Sequence, residues 1–453
     1  MKIIIVGIGK IGRIVTEYLV NEGHDIVVVD TDPTVVREAV DAYDVRGVVG
    51  NGANYDIQVQ AEAEHTNVLI AATESDELNL LCCLVARKNG VKRTIARVRN
   101  PEYGKQIDFM YNDLGLDMII NPEQEAAAEI AKILQFPTAL NIDTFAQGRA
   151  EIVEIKVPED SPLVGKSLSE LGREFAVSFL VCAVVRAGAV HIPSGGFVLQ
   201  AGDHIHITAA ANEIGKFLRK LRMLKQRVRK IMIIGGSRIS YYLAKQLAES
   251  HLDIKIIEVD HERARELDEQ LPEVAVINGD GTNQDLLREE GIDDVDAFLS
   301  LTGNDEENII LSLYAKTLNV SKVITKINHI AYYHILEKLD LGTIISPKAI
   351  TANQILRFVR SLSDSITSEV KTLYKLVNNQ IEAAEFFIPA ETDYTGISFR
   401  DLPLKKDILI GCIVRDKTVI IPHGEDCFRA GDSVIIVSKQ KLKDLEDILA
   451  GRP

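Results

Sequence analysis

A chain of 453 residues exceeds what one hydrophobic core accommodates and calls for about two to four domains. Apolar residues make up 46% and charged residues 26%, as in an ordinary globular protein, and the net charge of -15 argues against nucleic acid or lipid headgroups as partners, since both favour basic surfaces. No run of about 18 apolar residues is present to span a membrane, and the five cysteines (Cys82, Cys83, Cys182, Cys412, Cys427), without a C-x-x-C pair, fit reduced thiols rather than disulfides or a zinc site.

The sequence opens on a strand rather than on a signal-peptide pattern, which predicts a cytoplasmic protein. Ile3 to Val6 is apolar and largely β-branched, as a strand buried on both faces should be. Gly7, Gly9 and Gly12 then spell G-x-G-x-x-G, with Ile8, Lys10 and Ile11 between them. In such a turn the first glycine permits the tight bend, the second lets the backbone approach a pyrophosphate, and the third allows close packing of helix on sheet. After the helix comes the apolar strand Ile26 to Val29, which ends on Asp30, eighteen residues beyond Gly12 and placed for ribose hydroxyls. A helix over Pro33 to Tyr43 and a strand over Val45 to Val49 follow, the latter ending in the loop Gly50-Asn51-Gly52-Ala53. The strand Asn67 to Ala72 closes on Thr73 and an acidic cluster, Glu74 to Asn79, that precedes a helix over Leu80 to Asn89. Strands over Arg93 to Val98 and Met118 to Ile120 complete six, alternating with helices: a doubly wound parallel sheet with its ligand crevice at the carboxyl strand ends.

From Pro122 an amphipathic helix runs to Leu134, its apolar face left without a sheet of its own and expected to pack on another subunit or on the other half of the chain. Arg149 to Leu221 then alternates apolar and polar residues in short runs, which predicts a small α+β domain.

At Lys230 the chain starts again. Lys230 to Gly235 (KIMIIG) repeats Lys2 to Gly7 (KIIIVG), Glu258 falls at Asp30, Gly279-Asp280-Gly281-Thr282 at Gly50 to Ala53, and Asn304 to Asn308 at Ser75 to Asn79. Pro347 repeats Pro122, and Ala430-Gly431-Asp432 repeats Ala201-Gly202-Asp203. The nearly constant offset identifies a tandem duplication of a two-domain unit. Four domains result: doubly wound domains at 1–137 and 225–362, small α+β domains at 138–224 and 363–453.

The copies differ at the ligand turn. Ser237 and Ser240 stand at the Gly9 and Gly12 positions, and a Cβ there predicts weaker or altered binding. The first crevice should hold the tighter ligand; the second either binds a different nucleotide or serves as scaffold. Glu258 remains available for a ribose and Arg238, at the Lys10 position, for a phosphate. An NAD-dependent oxidoreductase is the alternative, but it needs a proton-transfer group beside the nicotinamide. His191, His204, His206 and His423 have no matching histidine in the other copy, which favours a nucleotide sensor over a catalyst. His204 and His206 flank one strand residue, where a metal pair is weighed against a solvated strand face.

With the glycine turn, Asp30, the Gly50-Asn51-Gly52 loop, the Thr73 to Asn79 segment, Arg97, the Pro122 helix and Ala201-Gly202-Asp203 together, the chain resembles the RCK (KTN) family of domains that regulate potassium conductance. The likeness is to the tandem form found in the bacterial Trk potassium uptake system, and covers essentially the whole chain. It implies NAD(H) and ATP or ADP as ligands, no enzymatic activity and no resident metal. It also implies a homo-oligomeric dimer or tetramer ring on the inner face of the membrane, gating potassium through a separate membrane subunit. The ligand contacts implied are Gly7, Ile8, Gly9, Lys10, Ile11, Gly12, Asp30, Asn51, Ala71, Thr73, Asp76 and Arg97 in the first half. In the second they are Gly235, Ser237, Arg238, Ile239, Glu258, Asp280 and Thr302. Lys10, Arg97 and Arg99 are candidate discriminators between ATP and ADP. Two departures stand out: Asn51 where the second copy has Asp280, and the altered second glycine turn.

Overall fold

The computed structural model describes residues 1–135, 139–146, 149–174, 178–221, 228–329, 339, 341–362, 370–376, 380–388, 392–442 and 444–450. Six parallel strands (Lys2–Val6, Asp25–Asp30, Arg46–Val49, Val68–Ala71, Arg93–Arg97 and Met118–Ile120) pair in the spatial order 3-2-1-4-5-6. The second half repeats that order with Lys230–Ile234, Asp253–Glu258, Ala275–Asn278, Ala297–Ser300, Lys322–Lys326 and Thr343–Ile345. In this order the chain reverses direction beside the first strand, so its carboxyl end lies at the switch point where α/β sheets bind ligands. Ile3, Ile4 and Ile5 are fully buried, because helices cover both faces.

Helix starts are written in the sequence. The Asp32 side chain accepts from Thr34 N ahead of Pro33, Ser75 caps the helix Asp76–Lys88, and Asn304 caps Asp305–Thr317. The helix expected from Leu80 therefore begins earlier, at Asp76, since the acidic residues occupy its first turn, where the helix dipole favours them.

The two sheets do not bury their faces independently. The helix Pro122–Gln135 belongs to the first half by sequence, yet it lays Ala126, Ala127, Ile130 and Ile133 against Ile239, Leu243 and Leu247 of the second. Reciprocally, Ala352, Ile355, Leu356 and Val359 of the helix Pro347–Ser361 join Ile11, Val15 and Leu19 of the first half in one core. Of the two coverings left open by the sequence, the structure takes the one within the chain. Polar contacts fix the exchange: Arg360 pairs with Glu22, Asn121 Nδ2 donates to Tyr242 Oη at 2.9 Å, and Tyr242 Oη donates to the Arg99 carbonyl at 3.0 Å.

Each small domain is a five-stranded antiparallel sheet. The repeated Ala-Gly-Asp has a structural role. Gly202 and Gly431 take φ +83° and +88°, and the buried Asp203 and Asp432 carboxylates each receive two guanidinium hydrogen bonds, from Arg186 and Arg415. The two small sheets also share a core, in which Cys182 and Ala183 meet Cys412, Val414 and Ile435.

Ile130 tests the exchange. Its truncation to alanine should cost roughly 2–5 kcal/mol in chemical denaturation. Hydrogen exchange should rise in Lys230–Ile234 and Arg238–Leu247, a hundred or more residues away, and not in the first sheet.

Candidate functional site

The first glycine turn is built from three glycines with different reasons. Gly7 holds φ +88°, and a Cβ there would lie 2.7 Å from Thr73 N, so backbone and neighbour both require glycine. A Cβ on Gly12 would overlap the Gly7 carbonyl oxygen. Gly9 is constrained by neither: its φ is -72° and a Cβ would meet nothing within 4 Å. What glycine leaves there is room at the N-terminus of the helix Lys10–Asn21, which has no side-chain cap and presents unpaired N–H groups with the positive end of its dipole.

Asp30 closes one side. Its Oδ2 accepts from Ile8 N at 2.7 Å and its Oδ1 from Asp32 N at 3.1 Å, so the carboxylate braces the turn while each oxygen keeps a lone pair. On the other side Asn79 ties two strand ends together, its Oδ1 accepting from Thr73 N at 2.8 Å and its Nδ2 donating to the Arg97 carbonyl at 2.9 Å. Asn308 does the same for Thr302 and Lys326. This gives both copies the same reason for an asparagine at the end of that segment.

Between the halves lies a cleft of about 790 Å³. From the first half it is lined by Gly7, Gly9, Lys10, Ile11, Asp30, Asn51, Thr73, Arg97, Arg99 and Glu123, and from the second by Ser237, Arg238, Ile239, Lys326, Asn328 and Lys348. The N-terminal ends of the Pro122 and Pro347 helices meet there, because the helix exchange turns the two glycine turns toward each other. Six cations (Lys10, Arg97, Arg99, Arg238, Lys326, Lys348) face three carboxylates (Asp30, Glu74, Glu123) in a protein whose net charge is -15. Burial lowers the proton affinity of Arg97, with Arg99 acting in the same direction; burial also lowers that of Lys326, and of Lys348, where Lys10 adds repulsion. The cations are thus held together against their mutual repulsion, as suits a polyanionic ligand.

The second glycine turn faces its own strand ends differently. Ser240 Oγ donates to the Gly235 carbonyl, so a hydroxyl bond accommodates the side chain where Gly12 has none. Ser237 Oγ caps the helix Arg238–Leu247 by accepting from Ser240 N at 3.3 Å. Glu258 accepts from Gly236 N, as Asp30 does from Ile8, but Arg263 Nε also donates to the Gly236 carbonyl at 2.8 Å. The residue at this place in the first copy is Val35. The second crevice therefore carries a guanidinium of its own against its glycine turn.

The sequence-predicted residues divide accordingly. Gly7, Gly9, Lys10, Ile11, Asp30, Asn51, Thr73, Arg97, Ser237, Arg238 and Ile239 converge on the one cleft. Ile8, Gly12, Ala71, Asp76, Gly235, Glu258, Asp280 and Thr302 do not line it. Ile8 and Gly12 build the turn; Ala71 is buried in its strand. Asp76 Oδ2 accepts from Arg99 N and Asn100 N, each at 2.8 Å, and so sets the loop that carries Arg99. Asp280 accepts from its own loop at Thr282 N, and Thr302 Oγ1 is engaged with Asn308. His204 pairs with Glu154 at 2.9 Å. Lys326 and Lys348 escaped sequence reasoning. Lys326 stands at the Arg97 position of the repeat and was findable from that register; Lys348 reaches the cleft through the helix exchange alone.

Two doubly wound domains in tandem, each followed by a small antiparallel domain and opening on a shared cleft, define the class: a double RCK-type α/β protein. The fold is shared with the crystal structure of the GsuK RCK domain (TM-score 0.64, 20% identity, 96% of this chain and 92% of that one). It is also shared with the GsuK channel bound to NAD (TM-score 0.62, 19% identity, 96% and 76%). The TrkA-N domain model matches residues 3–122 and 231–347, and the TrkA-C domain model residues 152–222. The Trk system potassium uptake protein TrkA of Vibrio alginolyticus is 34% identical over 100% of this chain and 99% of its own length. That of Halomonas elongata is 35% identical over 98% of each. The chain belongs to the TrkA family of Trk system potassium uptake proteins.

The glycines separate structural from ligand constraints. Gly12→Ala should lower stability by about 2 kcal/mol or more, because backbone must move. Gly9→Ala should stay within about 0.5 kcal/mol of the parent in denaturant melts.

Proposed function

We propose that the chain is the nucleotide-binding regulatory subunit of a Trk-type potassium uptake system, a regulator and not a catalyst. In this reading it acts as a homo-oligomer, a dimer or tetramer ring, on the inner face of the membrane against a separate potassium-conducting subunit. The potassium role is supported by membership of the TrkA family across the full chain. Among the described residues no helix is long and apolar enough to cross a membrane, so conduction would fall to another chain. The observation that carries the nucleotide role is the cationic cleft shared by the two halves.

The ligand is an adenine nucleotide carrying at least a diphosphate, ATP, ADP or NAD(H). Asp30 takes ribose hydroxyls and repels a 2′-phosphate. The first-turn N–H groups beyond Gly9 take the pyrophosphate. Arg238, Lys326 and Lys348 meet the distal groups from the second half. A ligand so placed neutralises cations from both halves and draws them together. Its regulatory power depends on binding one interlobe angle more tightly than another, since equal affinity shifts nothing. The exchanged helices start at the cleft and run into the opposite core, so they are the rigid elements that transmit the angle.

Calorimetric titration with AMP, ADP, ATP, NAD and NADH should find one nucleotide per chain. Asp30→Ala should weaken every ligand. Arg238→Ala or Lys348→Ala, changed in the half that lacks the intact glycine turn, should weaken ATP by roughly tenfold to a hundredfold, at about 1.5–3 kcal/mol per charge-assisted bond, and AMP far less. Unchanged ATP affinity in both would sink the shared-cleft reading. Potassium flux through the reconstituted membrane subunit that ignores every nucleotide would sink the regulatory one.

A further inference from the structure

Where the first small domain meets the second doubly wound domain, four titratable side chains stand together away from the cleft. Lys322 opens the strand Lys322–Lys326 and is 3% exposed. Its Nζ donates to the Ala139 carbonyl and to Thr343 Oγ1, the latter at 2.9 Å, and Thr343 Oγ1 donates to the Leu140 carbonyl at 3.1 Å. An amine and a hydroxyl of the second half thus tie down the strand Ala139–Phe145, the outermost of the first small sheet. In the neighbouring strand Glu154 lies opposite His206 and bonds His204 Nδ1 at 2.9 Å. His206 is 2% exposed, and its Nε2 has no hydrogen-bond partner among the described residues.

We propose that this junction is a proton-operated latch: proton uptake at Lys322 and His206 loosens the first small domain from the second doubly wound domain, so that the angle between them responds to pH. Donor counting gives the reason. A neutral amine has two N–H groups for its two acceptors, whereas an ammonium brings a third donor and a full charge into a buried site. Glu154 is the charged group that faces Lys322, and it is already committed to His204; Glu154 and His204 face His206. The second small domain is built without this device: Glu385 takes the Glu154 place, but it lies opposite Ile435 and receives the Ser433 hydroxyl where the first copy has His206 and His204.

The titration of these groups agrees in sign. Burial pushes Lys322 down to about 7, with Glu154 opposing; burial lowers His206 as well, opposed by Glu154 and aided by His204. Burial alone would raise the Glu154 carboxyl, but the bond to His204 and the charges of His206 and Lys322 hold it below the ordinary range. A base with lowered proton affinity in the docked state gives up its proton on docking. Docking therefore strengthens with rising pH, by up to tenfold per unit between about 7 and the ordinary lysine value of about 10.4. Below about 7 the Lys322 contribution is fully lost, and His206 extends the loss below about 6.5.

Hydrogen exchange on the intact protein between pH 7 and 9 tests this apart from any nucleotide. Intrinsic exchange accelerates about tenfold per pH unit, while the opening constant of the latch falls by nearly the same factor. Amides of Ala139–Phe145 and Thr343–Ile345 should therefore exchange at almost constant rate while amides elsewhere accelerate. Lys322→Met, neutral at every pH, should make the junction accelerate with the rest. Glu154→Gln, which removes the opposing carboxylate, should carry the flat region below pH 7. Junction amides that accelerate tenfold per unit in the parent protein overturn the proposal, and this measurement stands even where a variant fails to fold. A Lys322→Met protein that keeps the flat profile overturns it equally.

Discussion

The helix Pro122–Gln135 cannot bury Ala126, Ile130 and Ile133 within its own half, because the helices that follow the strands already cover both faces of the first sheet. Its apolar face finds the second sheet's helix Arg238–Leu247, and the Pro347–Ser361 helix returns the exchange at Lys10–Asn21. Each core is thereby completed by the other half of the chain. That reciprocity ties the two halves together and fixes the glycine turns face to face. The cleft, its crowd of cations and the junction with the small domains all follow from it.

Electrostatics explains why such a cleft does not collapse into ion pairs. The chain carries an excess of acid overall, yet Lys10, Arg97, Arg99, Arg238, Lys326 and Lys348 gather where three carboxylates are too few to neutralise them. Several are anchored by backbone carbonyls: Arg97 to Ala72 and Thr73, Lys326 to Thr302, Lys348 to Asn328. Carbonyl oxygens hold a cation in place without cancelling its charge, so the cleft stays attractive to an anion from solution.

Duplication has also freed one copy from its original constraints. Gly7 and Gly235 both keep positive φ and pack against Thr73 and Thr302 respectively, since the bend is indispensable to the fold. Gly9 owes nothing to the fold, and it is the glycine whose counterpart, Ser237, has become a helix cap. Arg263 then lies against the turn that a ligand would need. The small domains diverged likewise, with Glu154 and Glu385 in matching places but histidines beside one of them.

Sequence alone determined the two sheets, the order of elements, the duplication and the first glycine turn, because these rest on local signals: apolar runs of strand length, caps such as Asp32 and Ser75, and glycines at fixed spacing. It also made Arg238 a phosphate-binding candidate, but for the second crevice. Tertiary structure decided that Arg238, Lys326 and Lys348 line one cleft with the first copy's turn, that Asp76 holds a loop instead of lining the cleft, and that Lys322 crosses to Ala139. These facts depend on which half each exchanged helix covers. An amphipathic stripe records that a helix must be covered, and carries no mark of the surface that covers it.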